Sequence, residues 1–190
     1  MRVAIFIDGA NLYFTQKRHL NWTIDLKKFI QYFEDRGAQV VEATYYTSYS
    51  PVNESQAKFM QSLPYMGYSV VSKPLKEIIS GDEILKKGNM DVEIATDMFN
   101  SIDRYDCAIL FSGDSDFERV LNLLRARGKT FYVISHPEAL SKELYAISGR
   151  NFINIADMER FITYQPRQTY PYRSTSRDML APAISQGHNR

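Results

Sequence analysis

Apolar residues gather in this chain into short runs that alternate with stretches of helical periodicity. Residues 3–7 (VAIFI) and 107–111 (CAILF) are continuously apolar. Runs of this length without polar alternation predict strands buried on both faces. Residues 38–47, 68–72, 130–135 and 152–155 predict four more strands. Leu26, Phe29, Ile30 and Phe33 recur at helical spacing over 26–36, and Gly37 is a good C-terminal stop. Helices are also predicted over 56–66, with Pro64 near the end, and over 91–102, 116–127, 139–147 and 157–163. Residues 73–90 are polar and predict a loop or an extended excursion. Strands alternating with helices predict an α/β fold, with a parallel sheet covered on both faces and right-handed crossovers. No internal repeat is present.

Acidic residues stand where the two most apolar runs stop. Asp8-Gly-Ala-Asn11 follows the first run, and Ser112-Gly-Asp114-Ser-Asp116-Phe117 follows the second. In an open α/β sheet, sites form in the crevice beyond the carboxyl ends of the strands. Carboxylates gathered there repel one another unless a proton or a cation is present. Asn11 has three readings: a cap of the following helix, an orienter of Asp8, or a substrate contact. Ser115 and Glu118 have the spacing of a capping box, which leaves the two flanking acids unexplained. On the helix of 91–102, Ile94, Ala95, Met98, Phe99 and Ile102 form an apolar stripe, and Asp91 extends it at the N-terminal end. An acid facing a core needs a partner or a metal. Glu93 and Asp97 face the other way on the same wheel. Asp8, Asp91, Asp114 and Asp116 together offer oxygen ligands only, which suit Mg²⁺ or Mn²⁺ over zinc. Such a site points to phosphodiester chemistry; spacing does not fix whether it takes one ion or two.

Other chemistries fit less well. Asp114-x-Asp116-x-Glu118 starts like a calcium loop, but Arg119 and Arg125 stand where Gly and Glu are needed. Nucleophilic serine chemistry lacks a suitable histidine partner among His19, His136 and His188. An aspartyl phosphatase would want an acid two residues after Asp8, where Ala10 stands. No glycine-rich phosphate loop or dinucleotide fingerprint is present.

The 190 residues suffice for one domain with a proper core. The net charge of +1 does not announce a nucleic-acid binder, but its distribution is uneven. Residues 1–164 carry 19 bases and 21 acids, a net of −2, and the remainder carries four Arg and one Asp, a net of +3. Residues 165–190, rich in Pro, Ser, Arg and Gln, predict a flexible basic tail or an arm for a neighbouring protein. The single cysteine, Cys107, sits in an apolar run and predicts a core residue. No run is long enough for a membrane span, and the first stops at Asp8 without the form of a secretory leader. A reducing, cytoplasmic setting fits these features.

Taken together, the three strings Asp8-Gly-Ala-Asn11, Lys87-Gly-Asn-Met-Asp91 and Ser112-Gly-Asp114-Ser-Asp116-Phe117 resemble the NYN domain. This is a branch of the PIN-like nuclease superfamily, and the likeness is to its LabA-like group over roughly residues 1–160. The resemblance implies a Rossmann-like three-layer α/β/α fold and a Mg²⁺- or Mn²⁺-dependent site that hydrolyses RNA. Asp8, Asp91, Asp114 and Asp116 would be the metal ligands, with Asn11 in the catalytic set and Ser112 and Asp97 supporting. It also implies an alternative, a non-catalytic RNA- or protein-binding regulator of gene expression or circadian output. A phosphohydrolase acting on a small nucleotide is a third reading. For RNA contacts the sequence offers Tyr46 as a stacking face near the end of its strand, and Lys87 and Arg119 as phosphate-binding cations. A protein partner on the tail and a homodimer are further expectations.

Overall fold

In the computed structural model, residues 1–80 and 83–166 are described, with 76–80 and 83–87 described by backbone alone. The chain runs β1 (Arg2–Asp8), α1 (Gly9–His19), α2 (Leu26–Glu34), β2 (Gln39–Tyr49), α3 (Glu54–Ser62) and β3 (Ser69–Pro74). It continues through β4 (Lys76–Ser80), β5 (Glu83–Lys87), α4 (Asp91–Asn100), β6 (Cys107–Phe111) and α5 (Glu118–Ala126). It then passes through β7 (Thr130–Ser135), α6 (Lys142–Ser148), β8 (Phe152–Asn154) and α7 (Glu159–Ile162). Six strands form one parallel sheet in the order β3-β2-β1-β6-β7-β8, and β4 and β5 pair as a separate antiparallel hairpin.

Strand alternation divides the core in two. From β1 and β6, Val3, Ile5, Ile7, Cys107, Ile109 and Phe111 enter one apolar layer, which includes Leu26, Phe29 and Phe33 of α2 and Ile162 of α7. Ala4, Phe6, Ala108 and Leu110 enter the other, with Ile94 and Met98 of α4, Leu121 and Leu124 of α5 and Leu144 of α6. The two central strands are thus buried on both faces, which is why their sequences carry no polar alternation. The result is the three-layer α/β fold expected of a PIN-like domain.

Several boundaries differ from the sequence expectation. The region 56–66 divides into α3 and a 3-10 turn (Leu63–Met66) with Pro64 inside it and Gly67 at φ +96 closing it. The polar stretch of 73–90 holds the β4–β5 hairpin. Phe99, placed on the apolar stripe of α4, is 36% exposed, with the Arg127 guanidinium 5.3 Å from its ring centre. Helix α1 carries no clear apolar stripe, buries only Gly9, Leu12 and Thr15, and escaped the periodicity reading. The tail expected over 165–190 lies, from 167 onward, outside the described residues.

The sheet turns at β1. One branch of the chain extends from it through β2 to β3, and the other starts at β6 on its opposite side and extends through β7 to β8. This reversal of strand order places a crevice between the carboxyl ends of β1 and β6. Leu110 lies fully buried in the strand that borders it. Leu110→Ala should lower unfolding free energy by about 2–5 kcal/mol, measured by denaturant titration of the full chain.

Candidate active site

Each acid is brought to this crevice by a specific local structure. Asp8 is both the last residue of β1 and the N-cap of α1: its Oδ1 accepts the backbone N–H groups of Ala10 at 3.1 Å and Asn11 at 3.0 Å. Asp8 therefore supplies the cap that the sequence had offered to Asn11. Gly9 is dictated by space, because a Cβ there would lie 2.5 Å from the Tyr45 ring and 2.6 Å from the Tyr46 carbonyl. At the end of β6, the fully buried Ser112 donates its hydroxyl to Asp8 Oδ2 at 3.1 Å and accepts the Asp114 N–H at 3.2 Å. One hydroxyl thereby ties the ends of β1 and β6 together.

Asp114 caps the turn that follows, its Oδ1 accepting the Asp116 N–H at 3.0 Å. This replaces the Ser115–Glu118 capping box read from the sequence. A Cβ on Gly113 would come within 1.9 Å of the Ala139 carbonyl, so glycine lets the loop after β7 press against the loop after β6. The Asn89 side chain accepts the Asp91 N–H at 2.6 Å and sets the start of α4.

Asp8, Asn11, Asp91 and Asp114 line a single cleft of about 480 Å³. Asp116 is exposed and outside the lining, but its charge reaches Asp91. Burial pushes the Asp91 carboxyl up to about 6; a hydrogen bond with Asn89 opposes this, and the charges of Asp114, Asp8 and Asp116 add to it. Among the described residues, Asp91 Oδ2 is buried with no hydrogen-bond partner. Burial also raises Asp8, against hydrogen bonds from Asn11, Ser112 and Ala10, with Asp114 repulsion adding a smaller upward push. An orphaned carboxylate oxygen among like charges, in an all-oxygen donor set, fits a hard divalent cation such as Mg²⁺ or Mn²⁺.

Other sequence candidates lie elsewhere. Asp97 accepts the Tyr46 hydroxyl at 3.0 Å and lines a different pocket with Glu42, Thr44 and Arg104. Tyr46 is 0% exposed, so its ring has no face to offer a base, and burial is the main reason its phenol is raised far above the ordinary range. Its sequence position near a strand end was right for the edge, but its side chain falls on the core face. Arg119 is exposed on α5, and the side chain of Lys87 lies outside the described residues. The sequence reading missed Phe14, Arg18, His19 and Glu138 as lining residues of the acid cleft. The first three sit on α1, and Glu138 arrives on a 3-10 turn after β7 (Pro137–Ala139). The run of basic residues Lys17-Arg18-His19 ending a helix was the available signal.

The fold and this cleft define the class: a parallel α/β domain of PIN-like type with carboxylates at its topological switch point. The NYN domain family matches residues 2–159, and the chain belongs to that family. It is 36% identical to the Low amplitude and bright protein LabA of Synechococcus elongatus over 186 residues, covering 96% of this chain and 97% of LabA. A solved structure of a protein of unknown function from Vibrio parahaemolyticus superposes with a TM-score of 0.71 at 28% identity, covering 86% of this chain and 96% of that one. Among the described residues, no helix is long and apolar enough to cross a membrane.

Two outcomes follow from this geometry. An acid whose folded pKa is raised contributes stability that is full below its ordinary value of 3.8 and is lost as pH rises through about 6. In chelator, Asp91→Asn should therefore have a higher Tm than the unsubstituted chain at pH 8, and the difference should shrink or reverse by pH 4. Ser112→Ala removes the hydroxyl shared by Asp8 and Asp114, and should cost about 1–3 kcal/mol in denaturant titrations. It should also weaken Mn²⁺ binding by about 10–100-fold in calorimetric titration.

Proposed function

We propose that the chain is a ribonuclease that hydrolyses RNA phosphodiester bonds with Mg²⁺ or Mn²⁺. The observation that carries the reading is the gathering of Asp8, Asp91 and Asp114 in one cleft, with a buried Asp91 oxygen left unpartnered. Family membership and the likeness to LabA support a nuclease-like or LabA-like regulatory role at the coarser level. In the proposal, Asp8, Asp91 and Asp114 would hold the cation, with Asp116 reaching it from outside the lining, and the bound ion would acidify water and offset charge building on the phosphate.

The remaining residues prepare the cleft. Ser112 fixes the Asp8 carboxylate, and the backbone N–H groups of Ala10 and Asn11 hold its other oxygen. Asn11 Oδ1 accepts the Thr15 hydroxyl at 3.4 Å, leaving its amide nitrogen to donate to a phosphate oxygen. Phe14, 47% exposed at the cleft, offers the stacking ring that buried Tyr46 does not. Arg18 in the cleft, exposed Arg119 and Lys87 would contact phosphates.

Purified protein incubated with labelled single-stranded RNA should cleave it in Mn²⁺ or Mg²⁺ and not in chelator. Asp114→Asn should lower the rate by at least about 100-fold, the scale of losing one charge-stabilising group. Unchanged cleavage in that variant would overturn the mechanism. The full-length likeness to LabA favours a second reading, a regulator that binds RNA or protein without cutting it. In that case RNA stays intact and Asp114→Asn leaves the biological effect unaltered.

A further inference from the structure

A second group of ligand-bearing side chains borders the acid cleft, and its chemistry differs from that of the carboxylates. His19 ends α1, and His136 and Glu138 stand on the loop after β7. One ligand atom from each of the three lies within 4.8 Å of the others. Their element origins are independent, so the sequence gives no spacing motif for them: 117 positions separate His19 from His136.

We propose that His19, His136 and Glu138 bind a borderline-soft transition-metal ion, of which Zn²⁺ and Co²⁺ are the working examples. Imidazole nitrogen selects such ions, whereas the all-oxygen cleft suits Mg²⁺ or Mn²⁺. Two histidines and a glutamate are a sufficient protein donor set for zinc, with a further position open to water or another ligand. The spacing is close to what an ion requires. Donors about 2.0–2.1 Å from a tetrahedral zinc lie about 3.4 Å from each other, and His19 Nδ1 stands 3.3 Å from Glu138 Oε2.

The two imidazoles stack with centroids 4.6 Å apart and planes 9° from parallel. Ligation of a shared ion would turn the His136 ring about its Cβ–Cγ bond and take its Nδ1 lone pair from the Glu138 N–H, while His19 Nδ1 already faces Glu138. The Glu138 side chain is 75% exposed, so it can follow that motion. The loop backbone is held independently of the imidazole, because the Ser141 N–H donates to the Gly113 carbonyl at 2.8 Å. The C-terminal end of α1 points its partial negative charge at the same spot, and the acids of the adjoining cleft add to the attraction for a cation. The Arg18 side chain is the facing positive charge, and its guanidinium lies over the Phe14 ring, 4.8 Å from the centroid. His19 and Glu138 line the same cleft as the acids, but binding of such an ion does not require RNA cleavage and is tested separately from it.

The test uses the full-length untagged chain, stripped with chelator and titrated with Co²⁺ in excess Mg²⁺. Visible d–d absorption well above that of aqueous Co²⁺ reports four- or five-coordinate ligation, which an octahedral all-oxygen site does not give, and Zn²⁺ competition reports affinity. The expected result is one Co²⁺ per chain with visible bands, displaced by Zn²⁺ and not by Mg²⁺. His136→Asn keeps a side-chain acceptor for the Glu138 N–H and should weaken Co²⁺ by more than about 100-fold, beyond the loss typical of second-layer changes. Glu138→Gln, at an exposed position, should weaken it in the same direction and serves if His136→Asn does not fold. Asp114→Asn should leave the bands unaltered. The proposal is overturned by an absence of visible bands, by bands that survive both His136→Asn and Glu138→Gln, or by bands lost in Asp114→Asn alone.

Discussion

The hydroxyl of Ser112 ties together the carboxyl ends of β1 and β6, the two adjacent strands at the centre of the sheet. It donates to Asp8 at the end of β1 and accepts the Asp114 N–H just past β6, while fully buried itself. Without that bridge, a carboxylate that is 7% exposed at the end of an apolar strand would lose a neutralising donor. Its remaining support comes from the N–H groups of Ala10 and Asn11 in the first turn of α1. These donors are available because a helix begins there and its first turn has no internal acceptors. Helix start, strand end and interstrand hydroxyl thus depend on one another, and the rest of the cleft is built around them.

The cleft concentrates negative charge in a way that folding alone does not favour. Asp91 is pushed up to about 6 mainly by burial, with three other acids contributing. Its unpartnered Oδ2 is a polar atom whose burial costs stability unless something binds it. Such an arrangement persists when the surrounding fold over-determines it. Here that comes from tight backbone packing: Gly9 against Tyr45 and Tyr46, and Gly113 against Ala139. Both glycines follow or precede an acid of the cleft by one residue, so the space that fixes the backbone also aims the carboxylate.

Much of this was legible in the sequence for definite reasons. Continuous apolar runs at 3–7 and 107–111 became the two central strands because parallel strands covered on both sides have no solvent face to code. Asp91 sat at the buried end of the α4 stripe and is half-buried, with one oxygen fully enclosed. The acids at the strand ends could be placed on one sheet edge because parallel strands all end on the same side of the sheet. Helix α1 was not legible, because its exposed Tyr13 and Phe14 and its few buried positions blur the apolar period. Tyr46 misled because strand parity, which decides between cleft and core, depends on exact register.

The sequence by itself determined the class of fold and the chemical kind of the acid cluster. Those follow from local properties: apolar run length, helical period, and carboxylates beside glycine at strand ends. Tertiary structure decided which acids share a cleft, leaving Asp97 with Tyr46 and drawing Asp8, Asp91 and Asp114 together. It also brought His19 beside His136 and Glu138. Such meetings depend on strand order and loop packing between segments far apart in the chain, and no local pattern encodes a distance between them.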